Sequence, residues 1–201
     1  KEFLTELASA APAPGGGGGA AMAGALAAAL ASMVANLTIG KEKFADREPE
    51  VKELLEQAEA ERVRLLTLVD EDAAVFNSFM SCYKLPKTTD EEKAARTAAI
   101  RAAAKQAATV PLNIARSSFA VLKLADSLVV SGNPGVITDG ACSGLLARAA
   151  LRCAEYNVRI NLGLTKDEEW NAQAAADLKQ LLADAEALET RLLAVTDKAL
   201  Q

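Results

Sequence analysis

The chain has 201 residues, 51% hydrophobic, 24% charged and 4% aromatic, with a formal net charge of −5 and no histidine. That length and apolar content suit one globular domain whose core needs neither disulfide nor metal, and the acidic balance argues against broad nucleic-acid binding, which takes a surplus of Lys and Arg. Without histidine, Ser-His-Asp and Cys-His catalysis and His-containing zinc sites are excluded, so acid–base chemistry near neutral pH falls to Asp, Glu, Lys, Tyr, Cys or the ligand.

Alanine is abundant, and it enters a helix without losing side-chain entropy. Residues 2–11 read as a short helix stopped by Pro12-Ala13-Pro14. The run Gly15 to Gly19 then leads into a helix of small residues over about 19–38 that ends near Gly40. No charge falls between Glu6 and Lys41, a length that could span a bilayer. The larger residues Met22, Leu26, Leu30, Met33 and Leu37 nevertheless form one stripe beside Ala20, Gly24, Ala28 and Ser32, the pattern of a core helix in close contact with neighbours. No basic n-region accompanies it, so neither a signal peptide nor a membrane partner is expected.

A second helix covers roughly 49–83 and ends before Leu85-Pro86-Lys87. Two overlapping capping boxes, Thr88 with Glu91 and Thr89 with Glu92, open a third. Pro111 is expected to kink or end that helix near Val110, with a further helix to about Ser131 and a stop at Gly132. Asn133-Pro134-Gly135 through Gly140 reads as a loop, followed by a helix over about 141–162. Thr165-Lys166-Asp167-Glu168 reads as a capping box opening a last amphipathic helix. No segment reads as a strand. The sum is all-α, an antiparallel bundle of about five to six helices in one domain over 1–201. Cys82, Cys142 and Cys153, odd in number and without CxxC spacing, read as buried small residues of a protein in the reducing cytoplasm.

Helical geometry marks one carboxylate. At about 100° per residue, Leu65, Val69, Phe76, Phe79 and Tyr83 share a face with Asp72 in its middle, while Asp70 and Glu71 point elsewhere. A charge there needs a partner or costs several kcal/mol. It is either a catalytic group or an inward Asp that caps another helix or bridges to a cation. The penultimate helix repeats the pattern: Leu146, Ala150, Cys153, Ile160 and Leu164 define an inward face that also carries Asn157 and Asn161. Two amides there either orient a heteroaromatic ligand or make interhelical hydrogen bonds.

Gly15, Gly16 and Gly17, ahead of a helix, either let a ligand approach free backbone N–H groups or form a plain turn. Lys41, Lys43, Lys84 and Lys87 follow helix ends; they complement the dipole or meet a carboxylate-bearing ligand. Asp139, with Thr138, reads first as a helix cap.

Taken in order, Pro14-Gly15-Gly16-Gly17, Ser32-Met33-Val34, Leu68 through Phe76, Leu85-Pro86-Lys87, Glu91-Glu92-Lys93 with Arg96, Val110-Pro111-Leu112, Asn133 with Asp139 and Asn157 through Leu162 resemble the cyclodeaminase/methenyl-tetrahydrofolate cyclohydrolase family. The resemblance covers nearly the whole chain. It implies an all-helical homodimer acting on a folate one-carbon derivative, with Asp72 as the catalytic aspartate and no cofactor beyond tetrahydrofolate as the substrate carrier. It implies substrate-binding roles for the glycines, Lys41, Lys87, Asn133, Asp139, Asn157 and Asn161. Many cyclodeaminases carry serine where this chain has Gly18, so the all-glycine run is more similar to the stand-alone cyclohydrolases.

Overall fold

Alanine and glycine let helix axes approach closely, and the fold is organised around the helix richest in them. The computed structural model describes residues 2–201 as six α-helices: α1 Glu2–Leu7, α2 Gly16–Asn36, α3 Glu48–Cys82, α4 Asp90–Ser131, α5 Ile137–Thr165 and α6 Glu168–Ala199. Single 3-10 turns stand at Glu42–Phe44 and Pro134–Val136, and no strand occurs among the described residues. Helix α2 packs against α3, α4 and α5, and α6 covers α4 and α5. The contacts of α2 fix its direction: Gly18 meets Asp72 and Gly24 meets Leu65 on α3, while Gly16 meets Asn157 and Ala27 meets Ser143 on α5. Both neighbours therefore run antiparallel to it. Although α2 is long and apolar enough to span a membrane, most of its apolar window is buried between the other helices.

Only part of the stripe of large residues on α2 faces the core: Met22 packs against it and Leu30 is half-buried, but the other three are exposed. Leu26 is 55% exposed, Met33 37% and Leu37 40%, whereas Ala21, Ala27, Ala28 and Ala35 are fully buried. The reason is steric. A Cβ added at Gly24 would lie 3.0 Å from both Leu65 Cδ2 and Ser118 Oγ, so only small side chains fit between these helices. Helix α5 is inverted only in part: Ile160 is 73% exposed and Cys153 and Leu164 are exposed, whereas Ala150 is buried and Leu146 packs on the core as expected, beside Ala147, Leu151, Ala154 and Val158. Two of the three cysteines are exposed rather than buried, and all three are free thiols.

Several boundaries also differ from those the sequence suggests. Helix α1 stops at Leu7. Four of the five glycines form the first turn of α2, with Gly15 as its N-cap. Pro111 does not end its helix; α4 is continuous for 42 residues with Pro111 inside. Thr89 and Glu92 form the capping box of α4. Helix α5 starts at Ile137 with no side-chain cap, so Asp139 lies in its first turn, where a negative charge suits the dipole. The cap of α6 is Asp167, which accepts from Trp170 N–H, and Thr165 closes α5 instead.

Candidate active site

Asp72 projects from α3 towards the N-terminus of α2. Its neighbours Leu65, Val69 and Phe79 are buried, and Asp70 and Glu71 are exposed, as the helical spacing requires. Gly15 has no side chain to cap α2, and the first N–H groups of any helix lack intrahelical acceptors. Asp72 supplies one from outside: Oδ2 accepts the Gly18 N–H at 2.9 Å. Oδ1 takes no bond from the described residues. Burial is the larger influence on this carboxyl and pushes it above its ordinary 3.8, while the Gly18 N–H pulls the other way. Asp72 is thus both a helix cap and a half-buried carboxylate with a free oxygen.

Asp72 lines a cleft of about 400 Å³, within the range of small-molecule sites. Pro12, Ala13 and Gly15 to Gly17 form one wall, and Val75, Phe76 and Phe79 of α3 form another. The remaining sides come from Ala107 and Pro111 of α4 and from Asn157, Ile160, Asn161 and Leu164 of α5. The N–H groups of Gly16 and Gly17 start α2 and have no acceptor among the described residues.

Both asparagines hold their amides against backbone. Asn157 Nδ2 donates to the Cys153 carbonyl at 2.9 Å. Asn161 Nδ2 donates to the Asn157 carbonyl at 2.8 Å and across to the Ala107 carbonyl of α4 at 2.9 Å. Since only an NH2 group satisfies these carbonyls, the two Oδ1 atoms remain as acceptors. An apolar slot lined by a carboxylate and two asparagines whose oxygens are left as acceptors suits a flat heterocycle rich in N–H donors or carrying positive charge.

Residues 1–180 match the Formiminotransferase-cyclodeaminase family. The chain belongs to that family. It is 45% identical to a methenyltetrahydrofolate cyclohydrolase of Methylorubrum extorquens, over 94% of this chain and 91% of that one. It is 33% identical to the formimidoyltransferase-cyclodeaminase of Sus scrofa over 92% of its own length, but spans only 34% of that longer protein. The crystal structure of a formiminotetrahydrofolate cyclodeaminase from Thermotoga maritima superposes with a TM-score of 0.89 at 30% identity, covering 100% of this chain and 96% of that one.

Of the residues that the family resemblance brings forward, Gly15, Gly16, Gly17, Asp72, Asn157 and Asn161 meet in the cleft. The others lie elsewhere in the chain. Lys41 follows the C-terminus of α2, about 30 Å along that helix from its glycine end. Asn133 works at the same far end, donating to the Leu37 carbonyl at 3.1 Å and accepting from Gly135 N–H at 3.0 Å. Asp139 lies about 27 Å along α5 from Asn157. Lys87 is exposed in the α3–α4 connection. Within one chain none of these four lines the cleft. Sequence reasoning missed Val75, Ala107 and Pro111 as lining residues. Pro111 was readable as a helix breaker and as part of a segment of the resemblance, but the bond from Asn161 to the Ala107 carbonyl, which brings it into the cleft, had no signal in the sequence.

Proposed function

We propose that this chain is a methenyltetrahydrofolate cyclohydrolase, converting 5,10-methenyl-tetrahydrofolate and water to 10-formyl-tetrahydrofolate. The observation that carries the reading is Asp72, a carboxyl of raised pKa with one oxygen unbonded among the described residues, in the lining of a largely apolar cleft. The identity with the Methylorubrum cyclohydrolase along nearly the full length of both chains supports the same reaction.

The substrate spreads one positive charge over N5, the bridging carbon and N10. A carboxylate next to it stabilises that charge and accepts a proton from water as the water oxygen bonds to the bridging carbon. The carbinolamine then opens: the N5–carbon bond breaks, N5 takes back the proton from Asp72, and the hydroxyl proton leaves to solvent as the formyl group forms on N10. A carboxyl pKa above the ordinary value brings Asp72 nearer to working pH in both steps. The apolar aromatic wall of Phe76 and Phe79 limits the water that reaches the cation.

A second reading has its own support. The Thermotoga structure that shares this whole fold is named a cyclodeaminase, and closure of a formimino group onto N10 with loss of ammonia needs the same proton shuttle. Absorbance of methenyl-tetrahydrofolate, corrected for spontaneous hydrolysis, separates the two when ammonia release from formimino-tetrahydrofolate is measured in parallel. Asp72→Asn keeps the shape and removes the base. Hydrolysis by that variant at the wild-type rate would refute the assignment.

The working unit in this reading is a homodimer. Its support is the exposed apolar face of α2, which includes Leu26, Met33 and Leu37 and is left open to solvent by the described residues. A large exposed apolar patch is the mark of a protein contact surface.

A further inference from the structure

A proline inside a helix withholds one N–H, and its ring crowds the carbonyl four residues back. For Pro111 that carbonyl belongs to Ala107, which would otherwise lack its helical donor. It is not left bare. Asn161, on α5, fills the place with its Nδ2 at 2.9 Å and spends its second amide proton on the Asn157 carbonyl at 2.8 Å. Both protons are used, so the amide cannot rotate without losing a bond, and its Oδ1 is held as an acceptor. Pro111, Ala107 and Asn161 all line the cleft.

We propose that Pro111 is a positioning residue for ligand recognition: by leaving the Ala107 carbonyl unclaimed, it anchors the Asn161 amide and fixes Asn161 Oδ1 as the acceptor for an N–H donor on the bound heterocycle. This rests on the reading of the cleft as a folate site. Alanine at position 111 would restore the helical N–H to Ala107 and remove the ring that crowds that carbonyl. Asn161 would then compete for a satisfied acceptor, and its oxygen would lose its fixed direction. A proline that served only to shape α4 would act on the ligand independently of Asn161.

The experiment is a double-mutant cycle with Pro111→Ala, Asn161→Ala and the pair, read as KM and kcat on methenyl-tetrahydrofolate. Each single change is expected to raise KM about three- to tenfold, the worth of one hydrogen bond, with kcat within about twofold. The double variant is expected to be no weaker than Asn161→Ala alone. Penalties that multiply, or an unchanged KM in Pro111→Ala, overturn the proposal. Hydrogen exchange of the Asn161 side-chain amide, followed by NMR, gives a readout that needs no turnover. It is expected to quicken about tenfold in Pro111→Ala as one of its bonds weakens, and an unchanged rate overturns the proposal. If the wild-type chain turned over no folate, the reading of the site would fail, and amide exchange would still decide the role of Pro111.

Discussion

A Cβ added to Gly17 would lie 2.6 Å from Cγ of Asp72, so α2 touches the carboxylate at a point where no side chain fits. The other glycines of the run are less constrained. At Gly16 the nearest atom would be Asn157 Nδ2 at 3.5 Å, and at Gly19 nothing lies within 4 Å. Gly17→Ala is therefore expected to displace the carboxylate and lower kcat about 10²-fold, the scale of a misplacement near 1 Å. Gly19→Ala is expected to keep the rate and to stabilise the helix by about 0.5–1 kcal/mol. Parallel kcat and urea-midpoint measurements check both. Equal activity in the two variants would remove Gly17 from the site's construction.

The raised pKa of Asp72 makes it costly to the native state once ionised. For a carboxyl whose folded value is raised, stability is fully present below the unfolded pKa and is lost as pH climbs through the folded value. Here the loss begins near the ordinary 3.8 and is complete above the raised folded value. Asp72→Asn should therefore unfold at higher urea than wild type at neutral pH, and the difference should vanish below about pH 3.8. With Asp72 as the proposed base, the wild-type rate should fall on acidification with a midpoint above 3.8, as the carboxyl protonates. A variant less stable than wild type at pH 7 would contradict this account.

The site was legible where a residue broke the local pattern. Asp72 stands out because its helical neighbours Leu65, Val69 and Phe79 are apolar and buried, and Thr89 with Glu92 specifies a helix start by chemistry alone. Side-chain size misled instead. On α2 and α5 the larger residues were expected to turn inward, yet close helix approach admits Ala27, Ala28, Ala147 and Ala154 and leaves Leu26 and Ile160 outside. The start of α2 was hidden for a different reason: glycines are poor helix formers, and the acceptor that caps them comes from Asp72, 54 residues away in sequence. Pro111 was legible as a lost hydrogen bond but not as a repaired one, because the repair comes from α5.

Asp126 of α4 is 1% exposed and pairs with Arg191 of α6, whose guanidinium reaches solvent. Removing the cation strands a buried carboxylate, whereas Asp126→Asn leaves a neutral group. Arg191→Ala is expected to cost about 1–3 kcal/mol, less than a fully enclosed pair because water screens the guanidinium. Asp126→Asn should cost less. Position 126 lies about 22 Å along α4 from Pro111, so neither change should alter kcat. Chemical denaturation beside steady-state rates checks this, and equal costs for the two variants would mean that the pair carries no buried-charge penalty.

The exposed stripe of α2 gives the last prediction. Leu26 and Met33 point away from the core, and the opposite face of the same helix is filled by alanines, so charges at these two positions leave the packing of the chain intact. They would, however, place a carboxylate in any contact between two copies. Covering a leucine or methionine is worth about 1.5–3 kcal/mol per side chain, and two-fold symmetry counts each residue twice. Leu26→Glu with Met33→Glu is therefore expected to turn a dimer into a monomer of unchanged helicity and unfolding cooperativity, as measured by sedimentation velocity and circular dichroism. A wild-type chain that sediments as a monomer at tens of micromolar would sink the dimer. A doubly substituted chain that still sediments as a dimer would move the contact to another face, with the exposed side of α5 around Tyr156 and Ile160 the next to test.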